Sequence, residues 1–133
     1  MTACPKNPAY RSPKWISYVN TRMPCVLQGT LPAVAAHVSW NSGRGMAYKA
    51  DDYRIVPLNP ALHALQGNMP EAKFWLDNIK KSFRFFGQVV AIWLKSNHGP
   101  FQSDNEDHVM TGIVLWARNE HDIWQKTGSA LWL

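Results

Sequence analysis

Two histidines hold the positions in this chain from which chemistry could be done. His37 lies in a short apolar run, AVAAHVSW, that reads as a β-strand. His63 follows 26 residues later, at the start of a short helix opened by Asn59-Pro60. Between them runs NSGRGMAYKADD, a glycine-rich and basic loop. A strand-borne imidazole can deprotonate a water, and a helix-borne one facing it can hold a divalent ion against a scissile phosphate. Two isolated histidines are more often hydrogen-bonded structural residues, so the pattern by itself is a weak signal of chemistry.

The loop supplies the other candidates. Arg44 and Lys49 could track phosphates, with Gly43 and Gly45 letting the backbone approach, and Trp40 could stack on a base or seat in a protein pocket. A structural loop in which Lys49 pairs with Asp51 or Asp52 is the alternative. Lys14, Arg11 and Arg22, on or beside the first predicted helix, would extend the same positive surface. Net charge is +5, and it belongs to one half of the chain. Residues 1–66 carry seven Lys/Arg against Asp51 and Asp52 only, whereas residues 67–133 carry seven of each sign. Such an imbalance suits a polyanionic partner through counterion release, and equally a basic surface that only aids solubility.

The elements that position these residues follow from capping and periodicity. Ser12-Pro13 opens a helix over about 12–22 that stops at Pro24. Strands are predicted at 33–40 and 53–58, and a short helix runs from Asn59 to near Gly67. Pro70 starts a long helix carrying Phe74, Trp75, Ile79, Phe83 and Phe86, ended by Gly87. QVVAIWLKS (88–96) and HVMTGIVLWAR (108–118) are rich in β-formers and flank a polar loop, so a hairpin is expected. The first run also fits a prolonged helix. The order makes an α+β protein. It divides into a basic region, 1–86, and a β-rich C-terminal extension, 87–133, packed on the same core as one compact domain.

At 133 residues the chain can bury one continuous core, and 46% apolar with 17% charged residues excludes intrinsic disorder. No apolar run reaches the length of a membrane span and the N-terminus lacks a signal-peptide core, so no membrane partner and a cytoplasmic location are expected. Cys4 and Cys25 make no disulfide framework. The run Phe83, Phe85, Phe86 with Trp75 reads as core. Of Trp116, Trp124 and Trp132, two are expected in the core and one at an interface. Asp104, Glu106 and Asp107 read as a solvated loop tip, since DNED lacks the spacing of a calcium loop.

A longer match gives these residues a context. KWISYVNTRMPCVLQG, AAHVSWNSGRGMAYKADDYRIVPLNPALHALQG and the downstream Phe74-Trp75 resemble, in order and spacing from Lys14 to Trp75, a family of small phage and prophage HNH-like (ββα-metal) nucleases of the recombination-enhancing type. Members read as a helix, PCxxCG, an AH strand, a GxGMGxKPDD loop and a VPLCxxCHxxQH helix start. Residues 88–133 match nothing in that pattern. The resemblance implies a ββα core preceded by a helix, with His37 as general base and His63 and Asp52 as metal ligands.

The departures from the pattern change what it implies. The four structural-zinc positions are occupied by Cys25, Gln28, Asn59 and Leu62, and tetrahedral zinc needs four donors. No structural metal is expected, with Leu27, Leu58 and Leu62 filling the space. Gly67 stands where the second helix histidine belongs. A degenerate, non-catalytic scaffold without cofactor follows, re-used to bind DNA, RNA or a host defence ribonucleoprotein in a bacterial cytoplasm, with anti-CRISPR-type inhibition as its specific form. The alternatives are an active endonuclease with an atypical site, using His37, His63, Asp52 and Arg44 or Lys49, and a recombination accessory protein that binds DNA through Trp40 and the loop. Replacement ligands from His98, His108 or His121 would restore a metal site.

Overall fold

Four of the five α-helices start at a capping side chain that the sequence places one residue ahead of them, Ser12, Asn59, Ser82 and Asn105. In the computed structural model, which describes residues 9–41 and 50–133, Ser12 Oγ accepts the Trp15 N–H (3.2 Å) and opens α1, Pro13–Arg22. Asn59 Oδ1 accepts the Leu62 N–H (2.9 Å) and opens α2, Pro60–Gly67. Between these helices two strands, β1 (Val34–His37) and β2 (Ile55–Leu58), pair antiparallel with His37 opposite Ile55. The β1-β2-α2 order is therefore as expected, and the mixed helix and sheet content is α+β. Strand alternation sends Ala36 and Val38 into the core and His37 to the other face. Ala35, opposite Pro57, gives its N–H instead to Asn20 Oδ1 (2.7 Å), which ties α1 to the sheet.

The C-terminal half departs from expectation. The predicted long helix from Pro70 to Phe86 is two helices, α3 (Glu71–Asn78) and α4 (Phe83–Lys95), joined by a 3-10 turn at Ile79–Lys81. Ser82 breaks it, because its Oγ accepts the Phe85 N–H (3.3 Å) and starts a new helix. The β-rich extension is also overturned, since 88–95 belongs to α4 and residues 106–127 form α5, Glu106–Thr127. Packing outweighs the β preference of Val, Ile and Thr here. Phe85, Val89 and Trp93 recur every four residues and face α5. Asn105 caps α5 through the His108 N–H (3.1 Å), acids occupy its first turn, and Gly128 ends it at φ 83°. The proposed division at 86/87 falls inside α4.

The two long helices run antiparallel and very close. A Cβ on Gly112 would lie 2.8 Å from Val89 Cγ1, so glycine is what lets α5 approach α4. One buried cluster spans the described residues from Trp15 on α1 through Val56, Phe74, Phe85 and Ile113 to Trp132. Trp116 and Trp132 are buried in it, while Trp124 is half-buried against Trp15 and Tyr18. Trp75, Phe85 and, partly, Phe86 belong to this core. Phe83 does not: it is 89% exposed at the start of α4. No helix among the described residues is long and apolar enough to cross a membrane.

Candidate functional site

Asp51 and Asp52, the only acids of the basic half, are both buried, and both hold the segment that leads into α1. Asp51 Oδ1 accepts the Tyr10 N–H (2.6 Å) and its Oδ2 accepts the Tyr53 hydroxyl (3.0 Å). The Asp52 N–H donates to Tyr10 O (2.9 Å), and Asp52 Oδ2 accepts the Ser12 N–H (2.7 Å). Arg11 Nη1 reaches Ala50 O (2.6 Å) and Asp52 Oδ1 (3.3 Å). A carboxylate pair stripped of water is satisfied here by backbone donors, the Tyr53 hydroxyl and the Arg11 guanidinium.

His37 completes this arrangement. Its Nε2 lies 2.9 Å from Asp52 Oδ1, and because a carboxylate can only accept, Nε2 carries the proton and Nδ1 is the ring nitrogen with no hydrogen-bond partner among the described residues. The side chain keeps 20% of its surface accessible. An imidazole held in one tautomer by a buried carboxylate is oriented as a general base would be. The residues that should hold a metal beside it are not assembled. His63 is exposed on α2 and shares no hydrogen bond with His37 or Asp52 among the described residues. Among those residues no group of three or more His, Cys, Asp or Glu could hold a metal ion.

The four positions matched to a structural zinc do converge. Cys25 begins a tight turn in which the Gly29 N–H donates to Cys25 O (2.7 Å), with Gly29 at φ 69°. That turn brings Gln28 against the start of α2, where Asn59 Nδ2 donates to Gln28 Oε1 (2.7 Å). Cys25 is buried and free, Leu58 is buried, and Leu27 and Leu62 pack on the core. Amides joined by a hydrogen bond and flanked by leucines stand at these positions. They supply one thiol to a cation that needs four ligands, so the residues present do not fit zinc.

The other histidines do not replenish the site. His121 is buried among aromatic rings, with Nε2 on the Tyr10 hydroxyl (2.9 Å) and Nδ1 on Asp122 (3.0 Å). His98 and His108 both pack on Trp93, and His108 Nδ1 accepts the Gln102 N–H (3.0 Å). Tyr53 titrates above its ordinary value, first because it is buried and then through its bond to Asp51.

Among the predicted binding residues, Lys14 and Arg22 are exposed on α1 and make no ion pair with any described residue. Arg44, Lys49 and the loop glycines lie outside the described residues. Trp40 is half-buried against the core rather than presented to solvent, and its backbone carbonyl accepts from Arg54. It borders a cleft of about 170 Å³ with Asn41, Arg54, Thr111 and Val114. Glu71 closes the base of the same loop by accepting the Ser39 N–H (2.8 Å), and burial raises its pKa against the pull of the Ser39 and Trp40 amides and Arg54. Sequence reasoning did not find the network joining Tyr10, Tyr53 and His121 to Asp51. The doubled acid in an otherwise basic half was the available signal.

Comparison with protein-family models, curated proteins and solved structures returned no match to this chain.

Proposed function

We propose that the protein is a non-catalytic, HNH-like scaffold that binds nucleic acid, free or carried by a host nucleic-acid-processing complex, and acts by occupancy rather than turnover. Counter-defence against a CRISPR effector is the specific form of this reading. The observation that carries it is the state of Asp52. Its two oxygens are taken by Ser12, His37 and Arg11, so the carboxylate expected to bind a metal is part of the fold. The β1-β2-α2 order and the Gln28–Asn59 bond at the matched zinc positions support a retained scaffold with its metal chemistry lost.

Burial of both acids also leaves the basic half with no exposed carboxylate among its described residues, while Lys14 and Arg22 face solvent. Fluorescence anisotropy with a labelled DNA oligonucleotide tests the binding surface. Affinity should fall steeply with salt as released counterions are replaced, and Lys14→Glu with Arg22→Glu should weaken binding and flatten that slope. Binding that is absent at low salt, or unchanged in the double variant, contradicts the assignment of this face.

One observation favours a second reading, an endonuclease with an atypical site. The His37–Asp52 bond orients the imidazole and leaves Nδ1, which has no partner among the described residues, to a water. In that case His37→Ala abolishes metal-dependent cleavage and leaves DNA binding intact.

A further inference from the structure

All three tyrosines among the described residues gather in one row of rings where α1 meets α5. The row runs Tyr53, Tyr10, His121, Trp124, Tyr18, with neighbouring centroids 5.2–6.0 Å apart. His121 is buried, while the other four are half-buried and keep part of their surface in water. A tyrosine at a surface ordinarily turns its hydroxyl to water. Here the protein holds all three hydroxyls. Tyr18 Oη accepts the Ala130 N–H (3.0 Å), Tyr10 Oη bonds His121 Nε2 (2.9 Å) and Tyr53 Oη donates to Asp51 (3.0 Å). Buried Trp15 stacks on Tyr18 from the core side, with 14° between the planes. What these side chains offer to solvent is therefore ring surface, fixed in place.

Cations interleave with the rings. On α1, exposed Lys14 and Arg22 stand one turn before and one turn after Tyr18, on the same face. At the other end of the row the Arg118 guanidinium lies 4.5 Å from the centre of the Tyr53 ring. Residues 1–50 contain no acid, and from Val109 to Thr127 on α5 the acids are Glu120, which is buried, and Asp122. Asp122 bonds His121 Nδ1 (3.0 Å) and stands one turn from Arg118 and one from Lys126. Lys14, Arg22, Arg118 and Lys126 outnumber it.

We propose, resting on Lys14 and Arg22 as a nucleic-acid face, that this row is a stacking platform for unpaired bases and that the nucleic acid bound there is single-stranded. A ring can stack on a base only where a face of that base is free, and in a duplex both faces are covered by neighbouring pairs. Positive charge alone takes duplex and single strand alike. Fixed, half-exposed rings beside that charge favour the single strand. Because the hydroxyl bonds already hold the rings, little side-chain freedom is lost on binding. Every base has a face to stack, so sequence preference should be slight.

The test is fluorescence anisotropy with labelled oligo-dT and with a duplex of equal length, each titrated over a range of salt. The single strand should bind more tightly than the duplex. Tyr18→Leu keeps an apolar side chain against Trp15 but no ring, and should weaken oligo-dT binding by at least about fivefold. Its duplex binding and salt slope should be unchanged, because no phosphate contact is lost. Tyr18→Phe should bind oligo-dT as the wild type does, and a circular dichroism melt checks that each variant is folded. Photocross-linking of the wild type to oligo-dT carrying iododeoxyuridine should place adducts on rings of the row, and decides the case should Tyr18→Leu fail to fold. Equal affinity for both forms, full affinity in folded Tyr18→Leu, or adducts only outside the row would each overturn the platform while leaving Lys14 and Arg22 as a face for duplex DNA. Binding of neither form at low salt would instead overturn the nucleic-acid reading itself, and the platform with it.

Discussion

Removing the Asp52 carboxylate should unfasten the segment before α1 and His37 together, and the structure sets the size of the effect. Asp52 is 2% exposed and accepts three hydrogen bonds, from Ser12 N–H at 2.7 Å, His37 Nε2 at 2.9 Å and Arg11 Nη1 at 3.3 Å. Hydrogen bonds to a charged group contribute roughly 1.5–3 kcal/mol each. The Arg11 side chain is 43% exposed, so its share is small after solvent screening. Two strong bonds, reduced because water can reach the accessible edge of His37, leave about 3 kcal/mol as the expected loss for Asp52→Ala. Asp52→Asn keeps one oxygen for Ser12, and His37 can answer the amide by presenting a bare Nε2, so about half that loss is expected. His37→Ala leaves Asp52 bonded to Ser12 and Arg11 and should cost about 1 kcal/mol. Urea unfolding of the three variants and of the Asp52→Ala/His37→Ala double variant measures this series. The double variant should fall short of additivity by about 1 kcal/mol, since the two residues share one bond. An Asp52→Ala protein as stable as the parent, or strict additivity, would refute the reasoning.

Three further outcomes follow from packing and charge. Gly112→Ala drives a methyl to within 2.8 Å of buried Val89 Cγ1, whose β-branched side chain cannot swing aside. It should lose about 1–3 kcal/mol in chemical denaturation, with recovery in the Gly112→Ala/Val89→Ala pair. Installing Gln28→Cys, Asn59→Cys and Leu62→Cys beside Cys25 should create a site that takes one zinc per chain and raises the melting temperature when loaded. A folded variant that binds no zinc would show that these four positions do not correspond to a zinc site. Burial raises Glu120 above the ordinary carboxylate value of 4.5, against the Trp132 and Leu131 amides and Arg84. A raised folded value means that this contribution to stability is fully present below that ordinary value and is lost as pH rises through the folded one. Glu120→Gln keeps an acceptor for the Trp132 N–H (2.6 Å) and should flatten the stability curve in that window, leaving the protein at least as stable at neutral pH.

Local signals carried the N-terminal half. Ser12-Pro13 and Asn59-Pro60 are complete capping statements, and AVAAHVSW alternates as a strand must, so the first helix, both strands and α2 were legible. Both members of the His37–Asp52 pair stood out, but their bond was not legible, because it joins residues 15 positions apart that no local pattern brings together. The Tyr10–His121 contact, across 111 residues, had no local trace at all. The C-terminal half was misread for a physical reason. Val, Ile and Thr favour strands in isolation, yet at four-residue spacing they make a helix face once a second helix is there to cover it. Asn105 with two acids behind it, and Gly128, were the overlooked cap and stop of α5. Ser82 between Lys81 and Phe83 was the overlooked break before α4.

The claim that this scaffold binds without turnover is tested most directly by plasmid nicking with purified protein in Mg²⁺, Mn²⁺ and Ni²⁺, beside His37→Ala. Wild type and variant are expected to leave the plasmid supercoiled in every metal while still binding it at low salt. Nicking by the wild type that disappears in His37→Ala would contradict the account and make His37 a general base held by Asp52.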